Sequence, residues 1–125
     1  MSTVNSWGPT NELGPYPHFA APGGDIFSTL PLAQGGFGVL SGTSMAAPYI
    51  SGVVALYLSS KGASDPITLR NLLSSTASSV NWNDGIATFK DLKAPTAQQG
   101  SGLIRADRFM EVTSLVSPGF ISLNV

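Results

Sequence analysis

Leu40 to Ser60 reads LSGTSMAAPYISGVVALYLSS, and how Ser44 sits within it decides how the whole chain is understood. Ser41-Gly42-Thr43-Ser44 runs directly into a segment, Met45 to Leu58, that is mostly Ala, Val, Ile, Leu, Met and Tyr and carries no charge. A helical segment that is apolar on every side is expected in the centre of a domain, because no face of it is suited to water. Pro48 requires that the helix has only just begun, since a first-turn proline lacks only an N–H that would be unpaired anyway. Lys61-Gly62 supplies a cation and a glycine stop where the helix should end. Ser44 is thereby placed at the N-terminal end of the helix, where free N–H groups and the macrodipole favour negative charge.

That placement suits a nucleophile. A serine oxygen attacking a carbonyl creates an oxyanion, and main-chain N–H groups at a helix start can stabilise it. An isolated serine before a helix is ordinarily a cap. Here Gly42-Thr43-Ser44-Met45-Ala46-Ala47-Pro48, with Gly52 beyond, resembles the nucleophile motif of the subtilisin-like serine proteases, the subtilases. Many family members have His where this chain has Tyr49, and fungal extracellular members often carry Tyr there. The nucleophile elbow of α/β-hydrolases does not fit: Ala46 stands where its second glycine belongs, and the single histidine, His18, precedes the serine.

The resemblance extends along the chain. Asn5-Ser6-Trp7-Gly8-Pro9-Thr10 is similar to the Ser-x-Gly-Pro segment ahead of the nucleophile, and Ala20-Ala21-Pro22-Gly23-Gly24-Asp25-Ile26-Phe27-Ser28 to the family's Ala-Pro-Gly-x-x-Ile-x-Ser stretch. Pro22-Gly23-Gly24 is a turn by composition, and a buried strand is expected at Ile26-Phe27. Gln34 to Leu40 reads as a glycine-rich turn feeding a short strand into the Ser44 corner; the lysine a phosphate loop would need is missing. Gln99-Gly100-Ser101-Gly102-Leu103-Ile104 resembles the Gln-Gly-x-Gly segment that begins the last helix of subtilase catalytic domains, although Arg105 stands where Asn or Asp is usual.

Between these motifs the residues speak for packing. Ser64-Asp65-Pro66 starts a helix, with Asp65 as N-cap and Pro66 in the first turn. Ile67, Leu69, Leu72 and Leu73 form its apolar stripe up to Thr76-Ala77, with Arg70 and Asn71 outside it. Asn81 to Ala97 reads as polar and irregular, containing a surface loop, with a turn at Asn83-Asp84-Gly85. Its Asp84 and Asp91 lack the EF-hand pattern, and no metal or cofactor is expected. A last helix is expected from Ala106 to Val112, ended by Pro118-Gly119, with an alternating tail from Phe120 to Val125.

The chain has 125 residues, 42% apolar and 10% charged, with a formal net charge of −1. That describes one globular domain at most and gives no basic patch for nucleic acid or an anionic membrane. Cysteine is absent, which excludes disulfides and cysteine-ligated metal. No apolar run suggests a membrane span, and residues 1–20 hold no apolar stretch typical of a secretion signal.

The resemblance implies residues 1–117 to be the C-terminal part of a subtilase catalytic domain and 118–125 the start of a linker or a following β-rich domain. The fold class it implies is α/β: an incomplete portion of a three-layer fold whose sheet is mostly parallel. It implies Ser44 as nucleophile of an Asp-His-Ser triad, a polypeptide substrate, and an extracellular intact protein. His18 lacks the His-Gly-Thr context of the family's base and Asp25 the Asp-x-Gly context of its acid. In subtilisin the acid and base stand about 190 and 160 residues before the serine, and only 43 residues precede Ser44 here. His18 and Asp25 are therefore read as surface loop residues. The acid, base and oxyanion asparagine are expected in a missing N-terminal part, a necessary partner, which leaves the chain inactive alone. The alternative is a catalytically dead remnant that acts as a binding module.

Overall fold

The computed structural model describes residues 5–119 and 121. In chain order it contains β1 (Ile26–Thr29), a 3-10 turn (Leu32–Gln34), β2 (Phe37–Leu40), α1 (Thr43–Lys61), α2 (Pro66–Thr76), β3 (Asn81–Asn83), β4 (Thr88–Lys93), α3 (Thr96–Gln99) and α4 (Ala106–Glu111). This is a small α/β arrangement in keeping with part of a subtilase domain. Its two sheets are antiparallel pairs, β1 with β2 and β3 with β4. Parallel pairing survives as one bridge, Ala20 to Leu103, with Ser78 antiparallel on the other side of Leu103.

Helix α1 forms where the sequence places it, and the Gly62 N–H closes it onto the Leu58 carbonyl at 3.1 Å. Two expectations about it are corrected. Pro48 is the sixth residue of α1, beyond the first turn. Its missing N–H deprives the Ser44 carbonyl of its i+4 donor. The helix is also not enclosed: Val53 is its single buried residue, and Tyr49, Leu56 and Leu58 are exposed at 43%, 63% and 37%. The physical reason is supply. One face, Ile50, Val53, Val54 and Tyr57, packs on Leu69, Leu72, Leu73, Ile104 and Phe109, and the described residues offer no second layer for the rest. Phe109 of α4 is fully buried, its ring centroid 4.5 Å from that of Tyr57. Truncating such a residue to alanine costs about 3–5 kcal/mol, which makes it the anchor of the helical layer.

Helix α2 starts as its sequence dictates. Asp65 Oδ1 accepts from the N–H groups of Ile67 and Thr68, both at 3.0 Å, and Pro66 occupies the first position. The Thr68 side chain foremost, and then these main-chain bonds, hold the Asp65 carboxyl below its ordinary range. The stripe differs at two places: Ile67 is exposed, whereas Asn71 is buried. Asn71 faces the returning chain, where a Cβ on Gly119 would lie 2.8 Å from Asn71 Oδ1.

Three expectations over the remaining segments also change. The strand at Ile26-Phe27 exists, but Phe27 is 69% exposed and stacks on the equally exposed Phe37. The stretch read as polar and irregular over 81–97 holds a hairpin, pinned by Trp82 stacked on Phe89 at 4.8 Å. Its turn is shaped by Asp84 Oδ1, which accepts from the N–H groups of Ile86 and Ala87. A short helix, α3, precedes the Gly100-Ser101-Gly102 segment. Gln99 is buried there and bridges two segments, accepting from the Val80 N–H at 2.8 Å and donating to the Ala94 carbonyl. Gly100 has φ +62 and stands so close to the Pro17 and His18 carbonyls that no side chain fits. The alternating tail expected over 120–125 lies outside the described residues apart from the exposed Ile121.

The chain exposes 8356 Å² for a mass of 12.9 kDa. A compact monomer of that mass exposes roughly 6300 Å², so about a third more surface is wet than a self-sufficient domain would leave. Leu32, Phe27, Phe37 and Leu56 contribute to the excess. Expressed alone, the chain is expected to bind a hydrophobic dye and to associate with rising concentration in light scattering. A monodisperse monomer with a sharp two-state unfolding transition would contradict this.

Candidate active site

Ser44 is exposed at the second position of α1, at a corner made by two chain segments. Strand β2 ends at Leu40, and Ser41-Gly42 turn the backbone into the helix; Gly42 is extended at φ 160, ψ 168. The Gly42 N–H donates to the Gly23 carbonyl at 2.7 Å, and the Met45 N–H folds back to the Gly42 carbonyl at 3.1 Å. The N–H groups of Thr43 and Ser44 precede the first helical bond and stay free to meet negative charge. No side chain caps this terminus. Ser44 is therefore not a cap itself, and its hydroxyl is not consumed by the fold.

The Pro22-Gly23-Gly24-Asp25 turn clamps the corner. A Cβ on Gly23 would meet the Gly42 carbonyl oxygen at 2.6 Å and the Ala46 Cβ at 3.1 Å, so only glycine lets the turn seat against the helix start. Asp25, at φ 51, exchanges two bonds with Ser41: its N–H donates to Ser41 Oγ at 2.8 Å, and that hydroxyl donates to Asp25 Oδ1 at 3.1 Å. This exchange was not legible in the sequence, because 16 residues separate the partners. The turn composition around Gly23 was the available signal.

Neither His18 nor Asp25 is brought to Ser44 as a catalytic partner. Asp25 spends its carboxylate on Ser41. His18 is half-buried in an irregular segment two residues before the Ala20 bridge, its carbonyl accepting from both the N–H and Oγ of Ser101. It lines a cavity of about 410 Å³ with Tyr16, Arg70 and Asn71, a cavity to which Ser44 does not contribute. Burial, and secondarily the Arg70 guanidinium, push the His18 pKa below its ordinary value. No group of three or more His, Cys, Asp or Glu side chains able to hold a metal occurs among the described residues.

A second cavity, of about 670 Å³, opens beside the serine corner, lined by Ser41, Gly42, Thr43 and Ala46 on one side and by Asn5, Phe19, Ala21 and Gln98 on the other.

This corner is a glycine turn holding an exposed serine at the start of a helix, and comparison with known proteins gives the family. The profile of the Subtilase family matches residues 1–103. Pyrolysin of Pyrococcus furiosus is 34% identical over 121 residues, which covers 94% of this chain and 8% of that protein. The extracellular basic protease of Dichelobacter nodosus is 39% identical over 82 residues, 58% of this chain and 14% of its own length. Subtilisin-like protease 10 of Trichophyton verrucosum is 51% identical over 55 residues, 44% of this chain and 10% of its own. The chain belongs to the subtilase family, the subtilisin-like serine proteases. It spans roughly a tenth of the length of these relatives.

Because protonation of His18 favours the unfolded chain, its contribution to stability is intact above about pH 6.5 and is lost as pH falls below that value. The His18 imidazole resonances are expected to titrate with a midpoint below 6.5 in proton NMR. A midpoint above 6.5 would contradict the burial.

Proposed function

We propose that this chain supplies the nucleophile of a secreted serine endopeptidase, with Ser44 Oγ attacking the carbonyl carbon of a substrate peptide bond. The observation that carries the reading is the exposed Ser44 hydroxyl at an uncapped helix start, inside the Gly42-to-Pro48 motif. The tetrahedral oxyanion forms beside the Ser44 N–H, which supplies part of the oxyanion hole. A histidine from polypeptide outside these 125 residues takes the Ser44 proton and passes it to the leaving amine. An aspartate, also outside, orients that histidine, and water then releases the acyl group. Gly42, Thr43 and Pro48 shape the corner and do not touch the reacting atoms. Residues 1–117 belong in this reading to the C-terminal part of the catalytic domain, and 118–125 lead out of it. Two relatives are named as extracellular proteases, which supports secretion of the longer protein.

The magnitude of what is missing decides the behaviour of the chain alone. In subtilisin, loss of the serine or the histidine costs about 2 × 10⁶ in kcat, as much as losing the whole triad. That corresponds to roughly 8–9 kcal/mol of transition-state stabilisation. The isolated chain is accordingly expected to show no turnover of a peptide substrate. In the longer polypeptide that carries the acid and base, Ser44→Ala is expected to lower kcat by about 10⁶ with KM little changed. Turnover that survives Ser44→Ala would overturn the assignment, and a longer polypeptide with no Ser44-dependent turnover would favour a binding remnant.

A further inference from the structure

The 410 Å³ cavity around His18 lies apart from the serine corner, and its charge is one-sided. None of the seven acidic side chains of the chain lines it. Arg70, from α2, gives it a permanent positive charge, and His18 is a second group that can take one. Among the described residues, Tyr16 is the one other titratable side chain in the lining, and the 96–101 stretch that completes the wall contributes none.

Both positions are fixed by the fold. Arg70 stands between the buried Leu69 and Asn71, on a helix that Leu69, Leu72 and Leu73 seat in the core. His18 is held through its main chain, its carbonyl accepting from the Ser101 N–H at 3.0 Å and from Ser101 Oγ at 2.8 Å. Burial first, and then the Arg70 charge, disfavour a proton on the imidazole. An anion beside both groups would offset the second cause.

The rest of the lining suits a flat apolar body. Pro9, Pro15 and Pro17 contribute their rings, and the Tyr16 ring stands edge-on to the His18 imidazole with centroids 6.3 Å apart. Pro9, Pro15 and Tyr16 are exposed, which opens the cavity to water and leaves the half-buried His18 and Arg70 within reach of a solute. A cavity of this size, apolar with a few convergent polar groups, is of the kind that holds a small molecule. A planar guanidinium meets a carboxylate through two parallel N–H···O bonds, which engages two of the five donors on Arg70.

We propose that this cavity binds an organic carboxylate with an aromatic body, its carboxylate taken by Arg70 and His18 and its ring laid against Tyr16 and the prolines. Two sources carry that chemistry, a free aromatic acid and the C-terminal end of a peptide. Ser44 has no part in the binding. A bound carboxylate favours the imidazolium, so the His18 titration midpoint rises on binding, and affinity rises as pH falls through it.

The test uses the 125-residue chain, whose single histidine gives unambiguous imidazole resonances in proton NMR. Phenylpropionate, a short peptide ending in a free phenylalanine carboxylate, and the amide of each are titrated between about pH 5.5 and 8, where a carboxylate keeps its charge. At least one acid is expected to raise the His18 midpoint by about one unit and, by reciprocity, to bind about tenfold more tightly at the acid end. Its amide is expected to bind about tenfold more weakly and to leave the midpoint in place. Arg70→Gln is expected to weaken the acid by a similar factor, and His18→Asn to retain binding without its pH dependence. The acid–amide comparison is made on the parent chain and does not depend on how either variant folds. An effect of phenylpropionate alone assigns a free acid as the source, and an effect of the peptide alone assigns a chain terminus. Acid and amide that bind alike, a midpoint that does not move, pH dependence that survives His18→Asn, or no binding by either acid overturns the proposal.

Discussion

The hydrogen bond from the Gly42 N–H to the Gly23 carbonyl ties the β1–β2 hairpin to the start of α1, and the candidate site depends on it. It needs a glycine at 23, because any Cβ would strike the Gly42 carbonyl, and it fixes the peptide from which Ser44 projects. The Asp25–Ser41 exchange braces the same corner from the other strand. Together they leave the Thr43 and Ser44 N–H groups free, with the serine hydroxyl exposed above them. The corner is therefore set by local main-chain geometry. In the function proposed above, its reactivity requires a base and an acid that come from outside these residues.

The same division appears in the packing. Helix α1 is apolar all round, but the chain covers one face of it with α2, α4 and Ile104. The other faces and the Phe27–Phe37 pair remain uncovered. A helix that is apolar all round and covered on one face behaves like half of a core. The fully buried Phe109 shows that the covered half is packed to interior standards.

Much of this was legible in the residues. The cap at Asp65-Pro66, the stop at Gly62 and the serine corner follow from local rules that act over a few residues, and the structure shows each. What was not legible depends on distant partners. Burial all round was expected for α1 because its sequence is apolar, but burial needs neighbours, and the chain supplies one layer of them. The β3–β4 hairpin escaped because Trp82 and Phe89 are held apart in sequence by a polar turn and meet only once it closes. Asn71 reads as lying outside the apolar stripe, yet it is buried, and so are Gln98 and Gln99. Gln99 is buried because its amide joins Val80 to Ala94, and no pattern along the chain reports such a bridge. Ser44 stood out because its motif is contiguous, so that local order alone carried the signal.

The central claim is that the fold presents Ser44 but does not activate it. The most direct measurement is reaction of the purified 125-residue chain with a fluorophosphonate, read by intact mass, with Ser44→Ala as control. The account predicts no adduct on the chain alone. An adduct on the parent that is lost in Ser44→Ala would mean that a group within these residues activates the serine, and would contradict it.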